Sequence, residues 1–182
     1  MRGVPAILSQ ADWFASLPTV YVSAGMLITD AADRMLIVKP NYRPHWGIPG
    51  GIVEDGEAPH LGAAREVAEE VGLDLPAGDL LVVDWVAAEG VRPRAVISYL
   101  FDGGTVGSDV IIRLQEEELD DAEFVTWAEA EARMSASVAA RVPAARQARL
   151  DGRTVYLPAL RAAQPSRLDP LDPRRLDPGG GG

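Results

Sequence analysis

The sequence of 182 residues contains no cysteine. Disulfides, zinc–thiolate centres and cysteine nucleophiles are therefore excluded together. Lysine is almost as scarce, since 16 of the 17 basic residues are arginine, and 27 acids bring the formal net charge to −10. A protein that grips long nucleic acids or anionic lipid by neutralising phosphates needs the opposite sign. Both partners are disfavoured, and a multivalent cation is favoured. Long apolar runs are also missing: no segment approaches the ~20 residues of a membrane span, and the opening MRGVPAILSQADWF carries no signal-type apolar stretch. The expectation is a soluble, cytoplasmic protein. With 47% hydrophobic and 24% charged residues, the composition is that of an ordinary globular chain with room for one compact domain.

What is present divides the chain into an N-terminal helical extension over 1–19, a domain over 20–161 and a Pro/Gly-rich tail over 162–182. Ser9 can cap a short helix carrying Trp13, Phe14 and Leu17. Alternating and continuous apolar runs predict strands at Val20–Ile28, Met35–Val38, Leu80–Ala87, Ala95–Phe101, Val110–Leu114 and Phe124–Trp127, with Gly103-Gly104 marking a turn. Helices are expected at Pro59–Val71, Ala128–Arg133 and Ser137–Leu150. The segment Asn41–Gly51 is dense in Pro, Gly and aromatics and reads as a fixed loop. Strands, one acidic helix, more strands and then helices give an α/β or α+β sandwich with a mixed sheet. The tail repeats Leu-Asp-Pro three times and buries too little apolar surface to offset its ordering entropy.

The chemistry concentrates in the acidic helix. At about 100° per residue, Glu66, Glu69 and Glu70 share one sector of roughly 100°, with Leu61, Ala64, Val67, Ala68 and Val71 opposite as the expected core face. Like charges at these spacings repel, and they crowd the last turns, where the helix dipole disfavours them. A bound cation explains that arrangement, and an all-oxygen donor set suits Mg²⁺ or Mn²⁺.

Read from Gly51, the chain gives Gly51, five residues, Glu57, seven residues, then Arg65-Glu66-Val67-Ala68-Glu69-Glu70-Val71-Gly72-Leu73. This resembles the Nudix box of the Nudix hydrolases at every defined position. A chance match at any one start is on the order of one in a billion at typical residue frequencies. The resemblance implies an α/β/α sandwich with added C-terminal helices, and metal-dependent hydrolysis of a small-molecule diphosphate, a nucleoside diphosphate linked to some moiety X. By position, Glu66, Glu69 and Glu70 would hold the metals, with Glu57 and a carbonyl at Gly50 or Gly51 joining them. Arg65 would hold the neighbouring carboxylates. Glu66 or Glu69 is favoured as the proton acceptor, with Glu116, Glu117 and Glu118 as later-loop alternatives. Specificity is expected from Tyr42, Arg43 and Trp46 in the preceding loop, with Glu117 and Glu118 beside the substrate. Trp85 is expected in the core or at a homodimer contact. A diphosphatase acting on a prenyl or sugar diphosphate, and a Nudix-fold regulator without turnover, remain alternatives.

Overall fold

A computed structural model describes residues 8–158. The expected tail over 162–182 lies outside them. The elements run α1 (Gln10–Ser16), β1 (Tyr21–Asp30), β2 (Met35–Pro40), β3 (Gly50–Ile52), α2 (Pro59–Val71), β4 (Leu80–Val86), β5 (Val96–Val106), β6 (Leu119–Val125), α3 (Trp127–Arg133), α4 (Ala136–Ala139), α5 (Arg141–Asp151) and β7 (Val155–Pro158). Seven strands form one mixed sheet in the order β6-β2-β1-β5-β4-β7, with β3 paired to β1. The β1–β5 and β4–β7 pairs are parallel and the others antiparallel.

Strand β1 is apolar on both faces because both are covered. Met26 and Ile28 pack under α2 with Ala63, Val67 and Val71, while Leu27 packs with Leu100, Val142, Ala145 and Ala148 on the side of α3 and α5. The result is the expected sandwich of helices on a mixed sheet. Among the described residues no helix is long and apolar enough to cross a membrane.

Several elements depart from the sequence expectation, each for a physical reason. Gly103-Gly104 is not a turn: β5 continues to Val106, with one extra residue bulged against β1 between Leu27 and Thr29 and a positive φ of 76° at Gly104. Val110–Leu114 has the alternation of a strand but no strand partner among the described residues. Val110, Ile112 and Leu114 pack under α2, and Arg113 and Gln115 donate their backbone N–H to the Val71 and Glu70 carbonyls, finishing the end of α2. The sixth strand starts at Leu119, before the expected Phe124, because the acids Asp120, Asp121 and Glu123 lie on a strand at the sheet edge, paired among the described residues to β2 alone. The expected helix over 137–150 is two helices, α4 and α5. Pro143 cannot sit in a helix interior, and restarting at Arg141 places it in a first turn.

The arginines of α5 anchor it to the sheet. Arg149 donates to both carboxylate oxygens of Asp102 (2.9 and 2.6 Å), to Thr29 Oγ1 (3.1 Å) and to the Leu27 carbonyl (2.8 Å). Replacing it removes all of these bonds at once. Arg149→Met is expected to lower the unfolding free energy by about 3 kcal/mol, the low end for breaking a buried pair because this one is partly exposed; urea denaturation of the variant measures it, and an unchanged midpoint would contradict the anchoring role.

Candidate functional site

The site begins with a clash that only glycine avoids. Strand β3 lies against β1 with Gly51 opposite Ala24 and Gly50 opposite Gly25. Gly50 holds a φ of 141°, a conformation an L side chain rarely adopts. A Cβ on Gly51 would stand 2.5 Å from the Glu66 carboxylate. The chain therefore brings bare backbone and the carboxylates of α2 into direct contact.

Helix α2 is turned from its expected setting. Its buried residues are Gly62, Ala63, Val67, Glu70 and Val71, whereas Leu61 and Ala68 are exposed. The apolar face is rotated toward the carboxylates, and the reason is Glu70: the carboxylate is only 7% exposed and accepts the Gly50 N–H at 2.7 Å. Burial pushes its pKa up to about 7; the Gly50 hydrogen bond and Arg43 oppose the shift, and Glu66 and Glu118 add to it. Burial also raises Glu66, against the pull of Arg65.

Arg65 is the hub of the remaining acids. It donates to Glu57 (3.0 and 3.1 Å), Glu66 (3.1 Å), Glu69 (2.9 Å) and the Ile52 carbonyl (3.2 Å). Its hydrogen bonds hold Glu57 below the usual carboxylate range, with help from the Glu54 N–H. As placed, Glu66 and Glu69 face Arg65 while Glu70 faces Gly50, and among the described residues no three acids or histidines converge on one point in ligating geometry.

Glu66, Glu69, Glu70, Arg65, Gly50, Tyr42, Arg43 and Glu118 all line one cleft of about 720 Å³. Two loops meet at its rim: Asn41 donates its backbone N–H to the Glu118 carbonyl and its side-chain Nδ2 to the Glu117 carbonyl. Arg43 stacks over the Tyr42 ring at 5.2 Å. Glu57 stands behind the cleft, tied to Arg65. Trp46 and Glu117 are not among the lining residues: Trp46 packs on the core beneath Arg133, 5.2 Å above its ring, and Glu117 is exposed. Trp85 is partly exposed on β4, outside the core clusters.

The cleft also takes in residues that motif reasoning did not reach. Arg141 donates to Asp84 Oδ2 (2.8 Å) and Ser98 Oγ (3.0 Å), and the Ser98 and Ser23 hydroxyls are 2.6 Å apart. The available signal was Asp84 itself, a carboxylate in the middle of the apolar run LLVVDWV.

Glu70 makes the metal-free protein sensitive to pH. Its folded pKa lies above the unfolded one, so the folded state retains a proton through the interval from 4.5 to about 7 and loses stability as pH rises through it. In chelator, the wild type is expected to lose up to ~3 kcal/mol across that window relative to Glu70→Gln, which keeps the Gly50 hydrogen bond without titrating. Parallel denaturation series at pH 5 and pH 8 measure the difference, and identical slopes for the two proteins would contradict it.

Residues 20–145 match the NUDIX domain family. A MutT-like protein of Streptomyces ambofaciens is 33% identical over 73 residues, 40% of this chain and 47% of that protein. The ADP-ribose pyrophosphatase of Mycobacterium tuberculosis is 44% identical over 59 residues, 32% of this chain and 28% of the relative. The chain thus spans about half or less of the length of these curated relatives. The crystal structure of the MutT protein from Methanosarcina mazei Go1 shares the fold, with a TM-score of 0.62 at 24% identity over 72% of this chain and 96% of that one. With its box complete from Gly51 to Leu73 and the domain match extending over most of its length, this chain belongs to the Nudix family.

Proposed function

We propose that the protein hydrolyses a nucleoside diphosphate linked to a further moiety X, using water and bound divalent cations, in the cytoplasm. The observation that carries this reading is the meeting of Glu66, Glu69 and Glu70 with the bare backbone of Gly50-Gly51 in one open cleft. A diphosphate is a polyanion that repels attacking water, so charge must be neutralised where the bond breaks.

The donor set fits a hard cation. All the groups are oxygens, and Glu70 is a buried carboxylate that carries no arginine partner among the described residues. Glu66, Glu69 and Glu70 would hold Mg²⁺ or Mn²⁺, with Glu57 and the Gly50 carbonyl in support. Once bound, such ions neutralise phosphate oxygens and lower the pKa of the attacking water. Arg65 keeps Glu57, Glu66 and Glu69 gathered beside one another. Arg43, which has no ion-pair partner among the described residues, is free to take a phosphate oxygen. The proton of the water passes to a carboxylate facing the cleft, Glu66, Glu69 or Glu118. The water oxygen bonds to phosphorus as the bridging P–O bond breaks, leaving two phosphorylated products.

A panel of nucleoside diphosphate sugars, dinucleoside polyphosphates and prenyl diphosphates, assayed with Mg²⁺ or Mn²⁺, tests the reading. Cleavage of a nucleotide member that EDTA abolishes is the expected result. Cleavage confined to prenyl or non-nucleotide sugar diphosphates would point to a biosynthetic diphosphatase, and tight binding without turnover to a regulator. In the active protein, Glu69→Gln or Glu70→Gln is expected to lower kcat at least ~100-fold; a fully active variant would remove that residue from the metal set.

A further inference from the structure

The cleft does not stop at the carboxylates. It continues along β5 on the sheet face covered by α4 and α5. Alternate residues of a strand share a face, so Leu100, Ser98 and Val96 line the cleft in succession, about 7 Å apart. Leu100 pairs with Gly25, which in turn lies opposite Gly50 and so marks the carboxylate end. One step on, Ser98 is flanked in register by Ser23 on β1 and Asp84 on β4, with Arg141 bonded across the row. A further step on, Val96 lies opposite Val86, and Val138 of α4 lines the same space. Arg92, from the β4–β5 loop, also lines the cleft; its Nη2 donates to the Ala87 carbonyl, while its Nε is buried with no hydrogen-bond partner among the described residues.

The order of these zones is the order of groups in a nucleotide. We infer that this arm of the cleft holds the nucleoside half of the substrate, with the ribose on Ser23, Ser98 and Arg141, backed by the buried Asp84, and the base between Val86, Val96 and Val138, presenting an acceptor to Arg92. This assignment rests on the diphosphatase reading above and extends it to specificity. Asp84 neutralises Arg141, so the row favours hydroxyl groups over another phosphate. A prenyl chain laid there would strip water from the hydroxyls and the ion pair and return no hydrogen bond. A second sugar would press its own hydroxyls against three valines, with the same cost. A planar heterocycle has apolar faces for the valines and an acceptor on its edge for the Arg92 guanidinium where that side chain lines the cleft.

Saturation-transfer NMR on the full chain in EDTA, with adenosine, guanosine, cytidine, uridine, glucose and geraniol as probes, separates these occupants. At least one nucleoside is expected to receive saturation on both its ribose and base protons, and Arg141→Met is expected to reduce it at least five-fold. Arg92→Met, in a loop and away from the core, should weaken the base signals alone, and it keeps the test decisive if Arg141→Met does not fold. For a nucleotide substrate found in the panel, Arg141→Met should raise KM at least ten-fold with kcat changed less than three-fold. Saturation of geraniol or glucose in place of every nucleoside would overturn the assignment, as would nucleoside binding indifferent to both variants. Nucleoside binding that depends on both arginines, in a protein that cleaves no diphosphate, would sink the hydrolase reading and leave the nucleoside site standing.

Discussion

The hydrogen bond from the Gly50 N–H to the buried carboxylate of Glu70 is the constraint around which the molecule is arranged. A carboxylate facing a core is costly unless its oxygens are satisfied, and the Gly50 N–H reaches this one from a strand seated so close on β1 that a Cβ at position 50 would meet the Ala24 carbonyl. That requirement fixes the roll of α2 and brings Glu66 against Gly51. It also seats β3 on β1 at the place where β1 is free of β2, since those two strands pair only at Thr29 and Met35. Arg65 completes the arrangement by balancing three further acids without entering the apolar layer.

The box from Gly51 to Leu73 made the acidic helix and its chemistry legible, because spacing in a helix converts directly into direction. It could not reveal the roll of that helix. A wheel drawn from hydrophobicity turns Leu61 inward and Glu70 outward, and the structure does the reverse because a partner 20 residues away, Gly50, claims the carboxylate. The same limit hid Arg141 and Asp84: their meeting depends on α5 crossing β4, a long-range packing relation that no local pattern encodes. Errors in the strands have a shared origin as well. Val110–Leu114 alternates like a strand but spends its hydrogen bonds on the end of a helix, and β6 looks too acidic to be a strand until its position at the sheet edge is known.

Two acidic stretches, over residues 54–74 and 115–131, dominate the net charge and are used differently. In the first, Arg65 and the core hold the carboxylates at the cleft. The second, over residues 115–131, is divided: Glu118 lines the cleft, Glu123 pairs with Arg133 of α3, and Asp120 lies 3.9 Å from Lys39. The arginines of α5 take their partners from other segments, Asp84, Asp33 and Asp102. Opposite charges along a sequence thus need not meet in the fold; topology selects the pairs.

Strand β5 gives the cleft a graduated scale. Its side chains at 100, 98 and 96 share the face covered by α4 and α5, while those of Tyr99 and Ile97 belong to the opposite face, from which Tyr99 also lines the cleft. Substitutions at the graduated positions can therefore lengthen, shorten or repolarise this arm of the cleft in discrete intervals of about 7 Å without disturbing the layer beneath α2. A single inserted residue, by contrast, would exchange the two faces and scramble channel and core together. Such a scaffold can diversify its ligands by point substitution while its carboxylate end stays unchanged.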